Sequence, residues 1–302
     1  MDASSPTLGV LIPTRNRTEL LRQCLRALLS LTPAPADILI VDQSDDDATG
    51  RMLAEEFAIP GLRHLPSTER GLSRARNLGL AHCHCDLVAF LDDDCVPAQD
   101  WVAQIHHTIA AHPDSAAWIG AVEHGPDSLA RLLAPPCPPH DAPPLTLAGR
   151  HNPWARSPNG GNVIFRRAAL NAVGPYDPLL GQGSAFPGAE DGDILYRLLV
   201  AGYAITWDNR PRVAHLPWRD AREDAANYRR HGLGFGAWAA KYQRQGDPFP
   251  LWRVLLSHLA LRLAAVAVNL LRLRPQRVAR HWNWALGMIQ GYQRRFRHPP
   301  QP

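Results

Sequence analysis

A chain of 302 residues, 45% of them hydrophobic, is long enough to bury a sizeable core, as one large α/β domain or two ordinary ones. Charged residues at 20% and aromatic residues at 7% exclude wholesale disorder and a fibrous repeat. Five cysteines are no disulfide framework, and residues 1–7 show no basic region leading into an apolar stretch, so the expected compartment is a reducing cytoplasm. The formal charge of +4 conceals an asymmetry. Nine of the 32 basic residues are arginines within 248–302, which has no Asp, Glu or Lys, leaving 23 basic against 28 acidic groups, a formal −5, in residues 1–247. An acidic body with a basic tail implies two tasks for the chain, and the tail suits nucleic acid or an anionic membrane surface.

In chain order, residues 8–12 read as a buried strand stopped by Pro13. Thr18 is placed to cap a helix whose apolar positions Leu20, Leu21, Cys24, Leu25, Leu28 and Leu29 recur at helical spacing, ended by Pro33 and Pro35. Residues 38–41 form a second strand, 63–65 a weaker third, 74–81 a helix and 87–91 a fourth, buried strand. This alternation predicts an α/β fold, a mostly parallel sheet with helices on both faces. Ligands of such sheets sit beyond the carboxyl ends of the strands. Residues 133–144 hold six prolines and are expected to loop over one rim of the domain.

Three of these strands end in polar signatures: Pro13, Thr14, Arg15, Asn16 and Arg17 after the first, Asp42 and then Asp45, Asp46 and Asp47 after the second, and Asp92, Asp93 and Asp94 after the fourth. An acidic triplet closing a buried apolar strand is unfavourable without a counter-charge. A hard divalent cation held by carboxylate oxygens and a ligand's phosphates is the natural one. Arg15 and Arg17 follow a buried strand and are expected to face a ligand. Further on, the apolar positions Ile194, Leu195, Leu198 and Leu199 predict a helix starting near Glu190. An acid at a helix N-terminus is favoured by the macrodipole, so Asp191 should stay ionised and able to accept a proton.

The ordered set PTRNR, the Asp after the second strand, GLSRARNLGL, FLDDD, GGNVIFRR and GAEDGDILYRLLVAGY resembles the glycosyltransferase family 2 pattern over residues 8–215. The resemblance implies a GT-A-type, Rossmann-like fold followed by a C-terminal helical region: a catalytic domain over 1–225, its nucleotide-sugar half about 1–100 and its acceptor half about 101–225, then a basic amphipathic helical tail over 226–302. It implies an inverting transferase that moves a sugar from a nucleotide-diphosphate donor to a glycan or lipid-linked acceptor in polysaccharide biosynthesis, with Mn2+ or Mg2+ as cofactor. Pro13, Thr14, Arg15, Asn16 and Asp42 would hold the nucleotide, joined by Arg76, Asn77 and Asp92. Asp94, with Asp92 and His215, would hold the metal. Gly160, Gly161 and Asn162 would face the acceptor together with Glu190, and Asp191 in the Glu190–Asp191 pair resembles the catalytic base, with Asp193 as a substitute. The chain departs from the pattern at Val41-Asp42-Gln43-Ser44, where many members carry a further acid and a glycine, and at Ala189, where glycine is common.

Two rival functions remain open at this level. A nucleotidyltransferase making nucleotide-sugars shares the strand-and-acid logic but needs a glycine-rich phosphate loop after the first strand, and PTRNR has no glycine. A catalytically inactive nucleotide- or glycan-binding module anchored by its tail would lack the acidic triplet or the base, and both are present.

Other features carry less. In His82-Cys83-His84-Cys85 the ligands are adjacent and no second pair completes a tetrahedral zinc set. Cys95, beside the acidic triplet, is disfavoured as a thiolate, and Gly181-Gln182-Gly183 lacks the third glycine of a dinucleotide fingerprint. The most apolar stretch, 251–273, is long enough to span a bilayer. However, His258, Arg262, Ala265, Asn269 and Arg272 fall on one stripe, and an interior Arg is costly in a lone span. The stripe predicts either a helix lying in the interface with its arginines toward anionic headgroups, at the inner face of the cell membrane, or a hairpin packed on the catalytic domain or on a second copy. Arg274, Arg277, Arg280, Arg294, Arg295 and Arg297 extend the basic character, but long apolar faces are unlike a nucleic-acid stripe, so no nucleic acid is expected.

Overall fold

The structure, a computed structural model, describes residues 6–124, 139–154, 160–216 and 221–294. Arg295, Arg297 and residues 133–138, the first half of the proline-rich loop, fall outside them. The chain divides into two compact units, the first Met1–Arg70, Arg74–Tyr176 and Ile194–Pro217, the second Gly71–Ser73, Asp177–Asp193 and Trp218–Pro302.

The first unit is built on a nine-stranded sheet ordered β3-β2-β1-β4-β8-β6-β9-β5, with β7 on β9. Strands β1 (Leu8–Thr14), β2 (Asp37–Asp42), β3 (Leu62–Pro66) and β4 (Leu87–Leu91) pair in parallel, as the alternation predicts. Beyond them the sheet is mixed. β8 (Asn162–Arg166) runs antiparallel to β4 and to β6 (Ser115–His124), β9 (Ala204–His215) parallel to β6, and β5 (Cys95–Pro97) and β7 (Leu145–Leu147) antiparallel to β9.

Alternate residues of each central strand enter two different cores. Val10, Ile12, Ile38, Ile40 and Ala89 pack on one face against Leu21, Cys24 and Leu25 of α1 (Thr18–Leu29), Met52 and Leu53 of α2 (Ala48–Glu56), and Trp101 and Ile105 of α4 (Trp101–Ala111). Leu11, Leu39, Val41, Val88 and Phe90 pack on the other with Ala75 of α3 (Leu72–His82), Leu170 of α5 (Arg167–Val173), and Ile194 and Leu198 of α6 (Glu190–Val200). A strand buried on both faces reads as a continuous apolar run. Gly79 of α3 lies so close to β1 that an added Cβ would stand 2.1 Å from Leu11 Cδ1.

Two local expectations change. Pro13 does not end β1: it pairs with Val41 at a level where the β4 ladder has already stopped at Leu11↔Phe90, so its missing N–H falls on a one-sided part of the sheet. Thr18 does not cap α1 but is its first residue, its hydroxyl meeting that of Thr49 at 3.2 Å.

The second unit is helical: α7 (Ala221–Arg244), a π-turn at Pro250–Leu255 running into α8 (Leu256–Leu271), and α9 (Pro275–Gln293). Glycines bring α7 and α9 into backbone contact. A Cβ on Gly236 would lie 2.0 Å from Met288 O, and one on Gly291 would lie 1.9 Å from Leu233 O. Gly232 and Gly236 on one helix, Gly287 and Gly291 on the other, share the four-residue spacing that lets helices approach this closely.

Candidate donor and metal site

Sheet register assembles the polar motifs of the first unit. Parallel pairing of β1 with β4 puts Thr14 beside the acidic triplet, and Thr14 Oγ1 donates to Asp93 Oδ2 at 2.7 Å. Antiparallel pairing of Leu91 with Asn162 lays Gly160 and Gly161 along Asp92. Pairing of Cys95 with His215 brings His215 Nε2 to 3.5 Å from Asp94 Oδ2, an approach fixed by Leu216 N donating to Asp94 O at 2.8 Å.

The triplet has protein counter-charges, which the strand pattern does not reveal. Arg17 Nη1 lies 3.0 Å from Asp93 Oδ1 and 3.4 Å from Asp94 Oδ2. Arg76, 1% exposed, has its guanidinium over the rings of both Phe90 and Tyr176, each centroid 5.3 Å away. Its Nη2 donates to Gly160 O at 3.2 Å and stands 3.8 Å from Asp92 Oδ1. Burial, reinforced by the charge of Asp94 and opposed by Arg17, pushes the Asp93 carboxyl up to about 6. The middle acid is thus an internal bracket, while Asp92 stays about a third exposed and Asp94 faces His215.

At the ends of β1 and β2 the polar residues hold one another. Asn16, at φ 54°, donates from Nδ2 to Asp45 Oδ2 at 2.6 Å and accepts from Asp45 N at 2.8 Å. Arg15 and Arg70 both pair with Asp45, whose carboxyl is lowered to about 2 by its bonds from Asn16 and Arg70. Burial would raise Asp42, but bonds from His64 and Ser44 overcome it and hold the carboxyl below its ordinary value. His64 Nε2 lies 3.1 Å from Asp42 Oδ2, and Ser44 N donates to Oδ1 at 2.9 Å.

Two residues expected at the ligand are spent inside the protein. Asn77 clamps the backbone of Tyr176, donating to its carbonyl at 2.9 Å and accepting from its N–H at 2.8 Å. Asn162 accepts from Trp101 Nε1 at 3.0 Å and donates to Ala121 O and Pro211 O at 2.9 and 3.0 Å. Asn77 braces the backbone at Tyr176, and Asn162 ties the start of α4 to strands β6 and β9.

In the second unit, Gly188 (φ 96°) and Ala189 (φ 69°) turn the chain into α6, whose first turn is Glu190, Asp191 and Asp193. Glu190 is buried, its Cδ 3.3 Å from where a Cβ on Gly181 would sit, and Asp191 is half-buried. Asp193 is no substitute base: it is 1% exposed and receives Lys241 Nζ at 2.9 Å and Tyr242 Oη at 3.0 Å on one oxygen. Lys241 also pairs with Asp177 at 2.8 Å, so it ties both ends of 177–193 to α7.

Among the described residues, Asp92, Asp94 and His215 form no three-ligand cage. The group that does converge is Asp37, Cys83 and Cys85, within 4.8 Å of one another. Arg63 already holds that Asp37, with Nε 3.0 Å from Oδ1, and burial together with Cys83 pushes the Cys85 thiol up to about 11, so the trio suits zinc poorly. Burial and the neighbouring acids likewise raise the Cys95 thiol far above the usual range.

A sheet whose carboxyl-end loops gather acids, arginines and a histidine is an α/β ligand-binding scaffold. The chain matches the model of glycosyl transferase family 2 over residues 9–174, and it belongs to that family. The pre-mycofactocin glycosyltransferase of Mycobacterium tuberculosis (strain ATCC 25618 / H37Rv) is 29% identical over 219 residues, 68% of this chain and 42% of its own length. The glucosyl-dolichyl phosphate glucuronosyltransferase of Haloferax volcanii is 27% identical over 207 residues, 66% of this chain and 65% of its own. The chain thus spans less than two thirds of the length of either. Among solved structures, the mannosyltransferase PcManGT from Pyrobaculum calidifontis, in complex with GDP-Man and Mn2+, aligns at a TM-score of 0.68 and 20% identity, covering 96% of this chain and 88% of that one. TarS 1–349 of S. aureus aligns at 0.54 and 15%, covering 94% and 90%. At such identities the likeness is one of fold, a GT-A sheet flanked by helices.

Proposed function

We propose that this chain is a metal-dependent inverting glycosyltransferase, moving a sugar from a nucleotide-diphosphate donor to the hydroxyl of a glycan or lipid-linked acceptor at the cytoplasmic face of the cell membrane. The observation that carries the reading is the approach of His215 and Arg17 to Asp94, at 3.5 and 3.4 Å, beside an Asp92 backed by Arg76. Relatives named as glycosyltransferases support it, as do neighbours of the same fold solved with GDP-Man and Mn2+ or with UDP-GlcNAc. The catalytic domain is taken as residues 1–225.

Hard cations of this kind use one or two carboxylates and complete their shell with substrate phosphates, so a site short of a full cage fits Mn2+ or Mg2+. Asp94, His215 and Asp92 would hold the ion, which supplies charge neutralisation for the departing diphosphate. Thr14, Arg15, Asn16 and Asp42, with the Pro13 backbone, hold the nucleotide. Arg76 aims Asp92. Gly160, Gly161 and Glu190 border the acceptor, and Asp191 takes the proton of its hydroxyl, a role suited to an acid in the first turn of a helix.

Calorimetric titration with UDP, GDP, dTDP and CDP, with and without Mn2+, tests this. Binding of one nucleotide only with metal, lost in Asp94→Ala, is the expected result; no binding to any of them overturns it.

A further inference from the structure

The polar stripe of α8 faces inward. Arg262 lies over Trp284 of α9, 4.4 Å from the ring centre, and its Nη1 is 3.2 Å from His281 Nδ1. The His258 ring lies 5.1 Å from that of Phe235 on α7, and Asn269 is buried, donating to Ala265 O at 2.8 Å. Between the exposed Arg253 and Arg272 the outward side is therefore apolar apart from Ser257, and with its flanks it presents Trp252 (64% exposed), Leu256, Leu261 (66%), Leu263, Val268, Leu270, Leu271 (86%) and Leu273. Its one hydroxyl, Ser257, is satisfied by Arg253 O and Val254 O. A surface helix in water turns its polar side out. This one does the reverse, and the expectation of Arg262 in a headgroup layer is corrected accordingly.

We propose that the outward face of α8 is a docking surface for an anionic lipid bilayer, lying in the interface with its leucines among the acyl chains. Charge selects this occupant. Arg253 at one end, and Arg272, Arg274 and Arg277 at the other, are exposed, and residues 248–302 contain no acid. These cations at both ends, with Trp252, suit the headgroup level. A second copy meeting this one face to face would bring arginine against arginine in either helix direction, a like-charge arrangement that disfavours self-association. The 22 residues of Pro250–Leu271 are long enough to cross a membrane, but their inner side is committed to Phe235, His281 and Trp284. A crossing would drag the arginines of α9 into hydrocarbon, so the helix lies flat. The inference deepens the membrane-face placement of the proposed function but uses no donor chemistry, so it can fail while the transfer reaction stands.

The test is co-sedimentation of the full chain with vesicles of phosphatidylcholine plus phosphatidylglycerol, against phosphatidylcholine alone. The intact chain should bind the mixed vesicles and lose affinity as salt rises. Leu261→Glu with Leu271→Glu should abolish binding, and Arg272→Gln and Arg274→Gln should each weaken it about 5-fold. Both altered leucines are exposed, and unchanged helicity and thermal midpoint show that the fold is intact. Equal binding by the leucine variant overturns the proposal, and so does an intact chain that ignores vesicles and sediments as a dimer. Nucleotide titration of the same samples reads the donor site separately.

Discussion

Gly161 and Asp92 touch through a missing side chain: a Cβ at Gly161 would stand 2.7 Å from Asp92 Oδ2 and 3.0 Å from its Cγ. Glycine at this point of the turn leaves the carboxylate room to lie between the loop and the buried guanidinium of Arg76. Gly161→Ala should push Asp92 aside and weaken Mn2+-dependent nucleotide binding about 10–100-fold, the usual effect of disturbing what orients a metal-site group. Calorimetry with and without Mn2+ reads it. Unchanged affinity would show that Asp92 takes no part.

Asp191→Asn should lower transfer by about 10²–10⁴-fold and leave nucleotide affinity unaltered, because it removes a proton acceptor while keeping the shape of the side chain. Turnover measured beside donor titration separates this from a folding effect. A parallel loss of nucleotide affinity would give Asp191 a structural role instead.

Lys241, its side chain 10% exposed, is shared by Asp177 and Asp193. Lys241→Met takes the lysine's charge away from two buried carboxylates, and removing one partner of a buried ion pair costs about 3–5 kcal/mol. Urea unfolding should show this loss, and Asp193→Asn in the Lys241→Met background should recover part of it. Absence of recovery would mean that the two charges are not coupled through the lysine.

The start of α6 at Glu190 was legible because Ile194, Leu195, Leu198 and Leu199 keep helical spacing against a strong apolar core. β4 was legible because it is an unbroken apolar run closed by acids. The mixed half of the sheet was not: β5 has three residues and finds its partner in β9, more than a hundred residues away. From the sequence Arg17 is a ligand-facing charge, and only the register of β1 against β4 shows that it neutralises Asp93. Asn77 and Asn162 match a motif whose pattern cannot distinguish an amide that binds a ligand from one that ties elements of the fold together. Periodicity likewise drew the polar stripe of α8 correctly but carries no information about which side meets the protein.

Asp208, 1% exposed, accepts from Thr108 Oγ1 at 2.7 Å and from Arg210 Nε at 2.9 Å on both oxygens. Burial would raise its carboxyl, but the bonds from Arg210 and Thr108 prevail and lower it. A folded-state pKa below the unfolded one gives stability that is complete above the ordinary carboxylate range, near 4, and lost as pH falls through the lower folded value. Asp208→Asn should therefore destabilise the protein at pH 7 and have a shallower acid limb in a plot of unfolding free energy against pH. Parallel acid limbs for the two proteins would remove Asp208 from the linkage.

Ala189 occupies the left-handed region at φ 69°, immediately after Gly188 at φ 96°, and its carbonyl accepts the Asp193 N–H at 2.8 Å to begin α6. A Cβ in that region costs roughly 1–2 kcal/mol, partly offset by the lower unfolded-state entropy of alanine relative to glycine. Ala189→Gly should stabilise the chain by about 0.5–1 kcal/mol, seen as a rise of a few degrees at most in the thermal midpoint. Gly188→Ala should do the opposite, since its Cβ would also meet His231 Nδ1 at 2.9 Å. A lower midpoint for Ala189→Gly would show that the alanine methyl gains more from packing than the backbone loses to strain, and that the turn before Asp191 is held by that contact.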